Sequence, residues 1–319
     1  MNVVVLGHSR IVRKRVLPAL ATLTARGVIG TTYVASRRAG DGVAFSGDAA
    51  YEEALLRVAP GLAYVSLPNA LHGPWVANAL GQGFHVVVDK PAFVSLTEAQ
   101  RMVGLARSRH LVLAEATVWA FHPVRASIVA AFTEAGTAPT RVTAAFSFPP
   151  LAVDDFRYQH DLGGGSLFDV GPYAVSAGRV LFEDVPESVD CRVHTWTGSR
   201  PAVDTSFSLM ARYPGARALV GHFGFTTEYR NQLSAFGPGA AVEVEQIFSS
   251  PPTLVNEVRI RMGDQPMTRP VRAADSFELF LEDVVRATVS SATHHADALL
   301  ADAVSLHMSR VSAGIASDG

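Results

Sequence analysis

Short apolar runs alternate with longer amphipathic runs through the first third of the chain, and this alternation constrains the fold more than any other feature. Strands that alternate with helices at such spacing are typical of a doubly wound parallel sheet. The helical patterns lie near residues 12–26, 51–58, 73–82 and 97–108. The predicted strands are Asn2–Leu6, Thr31–Ser36, Leu62–Ser66, His85–Asp89 and Leu111–Glu115. We therefore predict an N-terminal α/β domain over residues 1–121.

From about Phe121 the pattern changes. One helical run, His122–Glu134, is followed by runs that alternate polar and apolar residues, at 141–148, 188–196, 203–213, 218–225, 240–248 and 255–262. Such alternation indicates a mostly antiparallel sheet. Two helical stretches, near 276–290 and 296–313, close the chain. We predict a second α+β domain over 122–319 with a large, open, mostly antiparallel sheet, and leave open whether its last helices pack on the first domain.

Composition excludes several classes of protein. The length of 319 residues favours two domains, and a formal charge of −2 without a basic block argues against nucleic acid or anionic membranes as partners. A single cysteine, Cys191, excludes an internal disulfide framework. The sequence has no run of 18 apolar residues and no secretory-type start, so we expect a cytoplasmic protein without a membrane span.

The stretch HVVVDKPAFV (85–94) ends a predicted strand with Asp89, Lys90 and Pro91. Proline restricts the backbone of the turn, and the Lys90 ammonium group is expected at the carboxyl edge of the parallel sheet. Open α/β folds bind their ligands at that edge. A solvated lysine at a strand end remains the alternative, since most lysines lie on the surface.

The first predicted strand runs into a turn that partly matches a dinucleotide fingerprint. Gly7 fits the first glycine, whereas Ser9 and Val12 occupy the other two positions. The second strand ends in Ser36, Arg37 and Arg38, where an acidic residue would hold a free ribose 2′-hydroxyl. Guanidinium groups suit a 2′-phosphate instead, so we predict a Rossmann-type domain that binds NADP(H) in preference to NAD(H). Two solvated arginines on a loop are the alternative.

Three further stretches, LPNALHGPWVANAL (67–80), HVVVDKP (85–91) and WAFHP (119–123), resemble the Gfo/Idh/MocA oxidoreductases. These are two-domain NAD(P)-dependent enzymes of sugars and cyclitols, and Asp89 stands here for their signature glutamate. Residues 147–181 and 229–252 resemble the nucleotide-sugar 3-ketoreductases of that family, which make deoxysugars. The resemblance implies an NADPH-dependent reductase that acts on the 3-keto group of a nucleotide-linked deoxysugar, with dTDP as the expected nucleotide.

Through this resemblance Lys90 falls on the family's catalytic lysine, and Tyr173 falls where the 3-ketoreductases carry a tyrosine. Hydride reduction leaves negative charge on the carbonyl oxygen, which Lys90 would stabilise and Tyr173 would protonate. A nearby ammonium group favours the phenolate and so eases that proton transfer. Asp169 lies four residues before Tyr173, on the same face if both are helical. Pro172 either kinks a helix that is under way at Leu167 or starts a new helical segment.

The remaining predicted contacts also depend mainly on the resemblance. Gly163–Gly165 predicts either close approach of a phosphate or sugar or an ordinary turn. We interpret His122 as structural, and no paired histidine or cysteine spacing accompanies it or His72, so we predict no metal site. The predicted cofactor contacts are Gly7, Ser9, Arg10, Ile11, Ser36, Arg37, Arg38, Leu67, Pro68, Asn69, His72, Asp89 and Lys90. The predicted substrate contacts are Arg157, Tyr158, Asp169, Tyr173, Tyr229 and Asn231.

Two alternatives to the ketoreductase stay open. One is a dehydrogenase of a free sugar or cyclitol that uses the same lysine, and the other is a catalytically silent protein that binds a sugar nucleotide or a partner. Retention of Lys90 and Tyr173 favours an enzyme. An antiparallel sheet with helices on one face needs cover on the other, and we predict a homodimer or homotetramer through this sheet. The apolar strand residues that suggest a shared face are Phe146, Phe148, Phe207, Leu209 and Phe223.

Overall fold

The computed structural model describes residues 1–197, 201–290 and 292–315. The chain divides into two compact units. Unit 1 holds Met1–Ala116 with Phe277–Leu300, and unit 2 holds Thr117–Ser276 with the residues from Ala301 onward. The domain limits expected from the sequence, 1–121 and 122–319, stay predictions.

Unit 1 is built on a parallel sheet whose strand order among the described residues is β3-β2-β1-β4-β5-β6. This order confirms the predicted doubly wound sheet, with its switch point between β1 and β4. Residues of β1 are fully buried, as expected for a parallel strand covered on both faces. The two-residue strand β3 was not predicted, because it is too short to give a pattern. The strands are β1 (Val3–Leu6), β2 (Thr32–Ser36), β3 (Phe45–Ser46), β4 (Leu62–Val65), β5 (His85–Val88) and β6 (Leu113–Glu115).

Helices connect these strands where the sequence pattern predicts them. They are α1 (Leu17–Ala25), preceded by a π-helical turn at Val12–Val16, α2 (Ala50–Arg57), α3 (His72–Gly81) and α4 (Leu96–Ser108). Helix α4 starts with a capping interaction, because the Ser95 hydroxyl accepts a hydrogen bond from the Glu98 N–H group at 3.2 Å.

Unit 2 carries a second sheet, with the order β14-β13-β12-β11-β7-β10-β9-β8 among the described residues. Its neighbouring strands pair antiparallel except β7 and β10, so the predicted mostly antiparallel sheet is confirmed. The strands are β7 (Arg141–Ser147), β8 (Ser188–Trp196), β9 (Asp204–Tyr213), β10 (Arg217–Gly224), β11 (Arg230–Gly237), β12 (Ala240–Glu245), β13 (Asn256–Met262) and β14 (Gln265–Val271).

Two strands of this sheet, β11 and β14, were not among the predicted runs. A buried polar residue, Asn231, interrupts the apolar alternation of β11. Strand β14 contains Pro266 and Pro270, which argue against an internal strand but are tolerated at an edge. It is the last strand on its side of the sheet, in agreement with that rule.

Helices pack on one face of the second sheet. They include α5 (Pro123–Glu134), which contacts β12, β13 and β14, and α7 (Gly171–Phe182), which contacts β7 and β10, with α6 (Ser166–Asp169) just before α7. The chain closes with α8 (Ser276–Ser290) and α9 (His294–Ser312), near the predicted limits. No helix in the described ranges has the length and apolar character that a bilayer span requires.

The apolar strand residues predicted to form a shared sheet face lie instead in the core under the helices. Phe146, Phe207, Leu209 and Phe223 are at most 7% exposed and belong to the core between the sheet and its helices. Phe148 is partly buried against the same core. Period-two alternation shows which residues share a face, but it does not show which face the helices cover.

Candidate functional site

The turn after β1 is tight at its first position. Gly7 has φ +106°, and a Cβ atom there would lie 2.0 Å from the Ser66 carbonyl oxygen, so only glycine fits. Ser9 occupies the second glycine position, and its hydroxyl accepts a hydrogen bond from the Val12 N–H group at 3.2 Å. Val12 replaces the third glycine and is fully buried at the start of the π-helical turn. The altered fingerprint therefore still forms a turn that leads into a helix, with Arg10 and Ile11 exposed beside it.

The predicted 2′-phosphate site lies on the neighbouring strand. Ser36 ends β2, which pairs with β1, and Arg37 and Arg38 follow as exposed residues. The Ser36 hydroxyl accepts a hydrogen bond from the Arg38 N–H group at 3.2 Å, which fixes the start of this loop. Two exposed guanidinium groups at the carboxyl end of the strand next to the glycine turn fit a phosphate-bearing ribose.

Hydrogen bonds restrain the predicted catalytic turn on its N-terminal side. The Tyr64 hydroxyl donates to Oδ1 of Asp89 at 2.7 Å, and the Ser66 hydroxyl donates to Oδ2 at 2.5 Å. Both donors come from β4 and the residue after it, one strand away from β5. Asp89 thus uses both carboxylate oxygens within unit 1, directly before Lys90.

The C-terminal side of the same turn is held by two other residues. His72 is fully buried, and its ring nitrogens lie 2.9 Å from the carbonyl oxygens of Pro91 and Leu67. The His72 ring therefore links the loop at 67–72 to the residue after Lys90. Burial lowers the pKa of His72, although the Asp89 charge and these carbonyl groups oppose the effect. Glu115 accepts a hydrogen bond from the Ala92 N–H group at 2.7 Å.

The loop between these two sides carries the remaining predicted cofactor contacts of unit 1. Pro68 precedes a short 3₁₀ turn, Asn69–Leu71, which leads into α3. Leu67 and Pro68 are half-buried and Asn69 is buried. The structure therefore brings the glycine turn, this loop and the Lys90 turn to the same edge of the sheet, because β1, β4 and β5 are adjacent.

In unit 2 the sequence around Tyr173 forms two helices rather than one. Asp169 ends α6, Val170 lies between the helices, and Pro172 occupies the first turn of α7. Proline is favourable there because the first-turn N–H groups have no intrahelical partner. Of the two readings of Pro172, the structure shows the new segment. The four-residue spacing from Asp169 to Tyr173 therefore does not place them on one helix face.

Tyr173 packs into an aromatic cluster. Its ring centroid lies 4.9 Å from that of Phe146 and 5.4 Å from that of Phe248. Phe146 also meets the Tyr229 ring edge-on at 6.4 Å. We call the group the aromatic cluster; its members are Phe146, Phe148, Tyr158, Tyr173, Phe225, Tyr229 and Phe248. Three predicted substrate residues, all tyrosines, are thus brought together around it.

Two other predicted substrate residues bind each other. The Nε atom of Arg157 lies 2.9 Å from a carboxylate oxygen of Asp169, which is buried, and Nη1 lies 3.2 Å from Asp155. Burial lowers the pKa of Arg157, but the two carboxylates outweigh it and raise the pKa above its ordinary value. The charge of Arg157 is therefore largely compensated within unit 2. Tyr158, next to it, accepts a hydrogen bond from the Leu151 N–H group at 3.1 Å.

Asn231 is buried, and its amide group is fully used. Its nitrogen donates to the Tyr229 hydroxyl at 3.1 Å and to the Ser249 hydroxyl at 2.9 Å, and its oxygen accepts from the Phe248 N–H group at 3.0 Å. Asn231 thereby fixes the backbone of Phe248 and orients the hydroxyl of Tyr229, a residue that is 51% exposed.

The triple glycine serves packing. A Cβ atom on Gly164 would lie 2.6 Å from the Arg157 carbonyl oxygen, and one on Gly165 would lie 2.4 Å from Oδ1 of Asp204. Oδ2 of Asp204 accepts hydrogen bonds from the Ser166 hydroxyl at 2.5 Å and from the Leu167 N–H group at 2.7 Å. The donors at the start of α6 are therefore already occupied, which argues against a phosphate there.

Histidines elsewhere have structural partners. His122 is buried, and its Nδ1 accepts a hydrogen bond from the Val124 N–H group at 3.2 Å, so it caps α5 as a structural residue. Asp283, His294 and His295 bring three potential metal ligands within 4.8 Å of one another. Both Nε2 atoms lie near one Asp283 oxygen, at 3.1 and 3.2 Å, and His294 forms a hydrogen bond with it. The absence of a metal site stays a prediction.

Sequence reasoning missed Tyr64, Ser66 and Glu115 beside the Lys90 turn and Phe248 beside Tyr173. Tyr64 carried a usable signal, because a tyrosine inside the apolar strand LAYV needs a partner for its hydroxyl. The others carried none, since their contacts join residues that are far apart in the chain.

Two family models match the chain. One, described as an oxidoreductase family with an NAD-binding Rossmann fold, matches residues 1–117, and the other, described as the GFO/IDH/MocA C-terminal domain, matches residues 135–243. Together they cover most of both units.

Named relatives cover most of the chain as well. A dTDP-3,4-didehydro-2,6-dideoxy-α-D-glucose 3-reductase from Actinomadura kijaniata is 30% identical over 91% of this chain and 88% of its own length. A D-xylose 1-dehydrogenase (NADP⁺) from Haloferax volcanii is 34% identical over 73% of this chain and 71% of its own. The crystal structure of KijD10, a 3-ketoreductase from A. kijaniata in complex with NADP and TDP-benzene, superposes with a TM-score of 0.87 at 26% identity, over 98% of each chain.

Proposed function

The chain belongs to the Gfo/Idh/MocA family of oxidoreductases, and we propose that within this family it is an NADPH-dependent ketoreductase. Its substrate is a nucleotide-linked deoxysugar, with dTDP as nucleotide, whose 3-keto group is reduced. The observation that carries the proposal is similarity over nine tenths of the chain to a 3-reductase of this kind. The catalytic roles of Lys90 and Tyr173 are part of the proposal and follow from the resemblance described above.

The cofactor assignment is supported by the glycine turn and by the two arginines. Gly7 makes the tight turn that leads to the helix start where a pyrophosphate would bind, and the exposed Arg37 and Arg38 would compensate a 2′-phosphate charge. KijD10 was crystallised with NADP, which agrees with this choice. Arg10, Ile11 and the loop at 67–69 remain predicted contacts.

The hydride for the carbonyl carbon would come from NADPH, held at the glycine turn and by Arg37 and Arg38. Lys90 stabilises the negative charge that grows on the carbonyl oxygen, because a fixed ammonium group needs no reorganisation during the reaction. Tyr173 then protonates that oxygen, and its place in the first turn of α7 favours the phenolate that it becomes. The restraints on Asp89 and Pro91 limit the positions open to the backbone of Lys90.

Substrate contacts are proposed for the aromatic cluster and the groups beside it. Tyr229 offers an exposed ring for stacking, and Asn231 orients its hydroxyl. Tyr158 belongs to the same cluster. Arg157 and Asp169, which pair with each other, would bind a diphosphate and a sugar hydroxyl only by exchanging part of that pairing. We therefore give the tyrosines the larger share of the contact.

A free-sugar dehydrogenase is the second candidate function. It is favoured by the 34% identity to the D-xylose 1-dehydrogenase of H. volcanii, which exceeds the identity to the A. kijaniata reductase. That match covers 73% of the chain, against 91% for the reductase. A catalytically silent binding protein would not need both Lys90 and Tyr173, so we rank it third.

We also propose that the protein forms a homodimer or homotetramer through the face of the second sheet that the helices leave open. Met210, Val220 and Phe236 are exposed on β9, β10 and β11, by 45%, 47% and 36%. They replace the buried residues named earlier as the support for a shared face. A monomeric mass by light scattering at micromolar concentration would refute this part. A cytoplasmic location stays a prediction.

The deciding experiment supplies the purified protein with NADPH and dTDP-3,4-didehydro-2,6-dideoxy-α-D-glucose and follows the loss of NADPH absorbance. The matched reaction supplies NADP⁺ with D-xylose. Rapid oxidation of NADPH that depends on the dTDP-sugar supports the ketoreductase, and turnover with D-xylose alone supports the second candidate. A protein that turns over neither pair but binds the dTDP-sugar would be the silent alternative.

A further inference from the structure

Hydroxyl groups from separate parts of unit 1 form one chain of hydrogen bonds that ends on Asp89. The Ser9 and Ser66 hydroxyl oxygens lie 2.9 Å apart, and Ser66 donates to Oδ2 of Asp89 at 2.5 Å. Tyr64 donates to Oδ1 at 2.7 Å. The chain therefore joins the glycine turn to the residue that precedes Lys90.

The direction of this chain follows from counting protons. The Ser66 hydroxyl has a single proton, which it gives to Asp89, so the proton between the two serines must belong to Ser9. Ser9 in turn accepts from the Val12 N–H group at 3.2 Å. Every donor points toward the Asp89 carboxylate, and bonds aligned in this way polarise and strengthen one another.

This chain of hydrogen bonds holds one side of the Lys90 turn, and other residues hold the opposite side. Pro91 is held through His72, and the Ala92 N–H group is held by Glu115. The backbone around Lys90 can therefore move in few directions when the hydrogen-bonded groups Ser9, Ser66 and Asp89 shift. The glycine turn is equally confined, because Gly7 sits directly against the Ser66 carbonyl group. A displacement of Ser9 has its most direct route to the Lys90 turn through Ser66 and Asp89.

We propose that Ser9, Ser66 and Tyr64 are positioning residues that act through Asp89 and couple cofactor binding at the glycine turn to the placement of Lys90. The serine at the second glycine position is then the first member of a coupling chain as well as a small residue. The inference rests on the proposed function, in which the glycine turn binds NADPH and Lys90 is catalytic.

The coupling is measured first by binding alone. NADPH dissociation constants are obtained by fluorescence titration for the full-length protein and for Tyr64→Phe, Ser66→Ala and the double variant. The matched control is Tyr33→Phe, which removes a hydroxyl from a half-buried tyrosine that packs on Phe45 in the same sheet. Thermal unfolding of each variant confirms that it is folded.

Hydrogen bonds through Asp89 and Ser66 join the Tyr64 hydroxyl to the glycine turn, so its removal should weaken NADPH binding in a way that depends on Ser66. We expect each single variant to bind about threefold more weakly or worse, and the double variant to bind no more weakly than Ser66→Ala, within about twofold. Tyr33→Phe should match the wild type. Independent losses that multiply in the double variant, or native affinity in Tyr64→Phe, would overturn the coupling.

Turnover provides a second measurement with a rescue. Ser66→Ala should lower kcat about tenfold with the KM for the keto-sugar within about twofold, because Lys90 is displaced while the sugar contacts remain. Ser66→Thr keeps the hydroxyl and should restore most of kcat, and equal kcat in the alanine and threonine variants would contradict the proposal. A wild-type protein that binds NADPH but reduces no keto-sugar would contradict the proposed function, and the binding cycle would still decide the coupling.

Discussion

The two predicted catalytic side chains are held by different forces. The turn that carries Lys90 is fixed by hydrogen bonds at Asp89, Pro91 and Ala92, whereas Tyr173 is fixed by aromatic rings and by its place at a helix start. Hydrogen bonds depend on single atoms and directions. Aromatic packing depends on volume and tolerates the loss of a hydroxyl better than the loss of a ring. Changes of one atom should therefore affect the first region most, and changes of volume the second.

The largest effects are expected from the two proposed catalytic side chains, Lys90 and Tyr173. Tyr173→Phe keeps the ring in the aromatic cluster and should lower turnover by about 10²–10⁴, with NADPH affinity nearly unchanged. Lys90→Met should lower it as much or more, because it removes the charge that stabilises the oxyanion and favours the phenolate. The double variant should lose much less than the product of the two factors. Steady-state kinetics with the keto-sugar measures all three, and a native rate in Tyr173→Phe would show that another group delivers the proton.

The second prediction compares volume with a single hydroxyl. Phe146→Ala removes a ring that contacts Tyr173, Tyr229 and Phe248, and should cost about 3–5 kcal/mol in the free energy of unfolding. Tyr64→Phe removes only a hydrogen bond and should cost about 1–3 kcal/mol. Urea unfolding measures both, with Leu56→Ala, at an exposed site, as the control near zero. Equal costs for the two aromatic variants would show that ring volume does not stabilise the aromatic cluster more than a single hydroxyl stabilises the Lys90 turn.

The third prediction concerns polar recognition outside the restrained turn. NADPH should bind at least about tenfold more tightly than NADH, which corresponds to roughly 1.4 kcal/mol and is modest for charge-assisted bonds to a phosphate. Arg37→Ala should remove most of this preference while leaving NADH affinity unchanged. Fluorescence titration with both cofactors provides the measurement. Equal native affinities for the two cofactors would exclude the assigned role of Ser36–Arg38.

The smallest effect is expected from pH at the His72 restraint. Burial lowers the pKa of His72 in the folded protein, so the unfolded chain binds the proton more readily. Stability is therefore complete above the unfolded pKa of about 6.5 and is lost as the pH falls below it, by up to about 1 kcal/mol near pH 5.5. Other histidines shift in the same direction, including His85 and His295.

Because several histidines contribute, the effect of His72 is measured as the difference between two proteins in the stability that is lost on acidification. Urea unfolding at pH 7.5 and pH 5.5 is compared between the wild type and His72→Gln, which should show the smaller loss on acidification. An identical loss in both proteins would mean that His72 does not take up the proton in this range.

Much of the fold could be predicted, and the residues show why. The parallel strands of unit 1 are continuous apolar runs bounded by turns, so their limits agree with the structure within one or two residues. Strands β11 and β14 were not predicted, because Asn231 interrupts the apolar alternation of β11 and two prolines in β14 argue against a strand. The sequence also did not show which face of the second sheet the helices cover. Phe207 and Phe223 share a face, but the alternation is the same whether helices or solvent lie against that face.

The candidate site was predictable as a set of positions but not as a set of contacts. Gly7, Lys90 and Tyr173 follow from local motifs and from the family resemblance. Two contacts do not follow from local motifs: the pairing of Arg157 with Asp169, and the hydrogen bonds between the Asn231 amide and the loop at 246–250. Each joins groups that are separated in the sequence and meet only when the chain folds. Because of these contacts, Arg157, Asp169 and Asn231, which were predicted to face a substrate, are largely occupied by partners within the protein.

Local sequence patterns are sufficient to assign the strand and helix order of unit 1, the glycine at the first turn, the arginines after the second strand and the lysine at a strand end. These features depend on neighbours in the chain, where backbone conformation and spacing act directly. Three other features became visible in the folded protein: Ser9, Ser66 and Tyr64 converge on Asp89, His72 spans two loops, and Pro172 begins a helix beside the aromatic cluster. Hydrogen bonds and ring contacts form between residues that are far apart in the chain. A local sequence pattern therefore does not show which of these groups folding brings into contact.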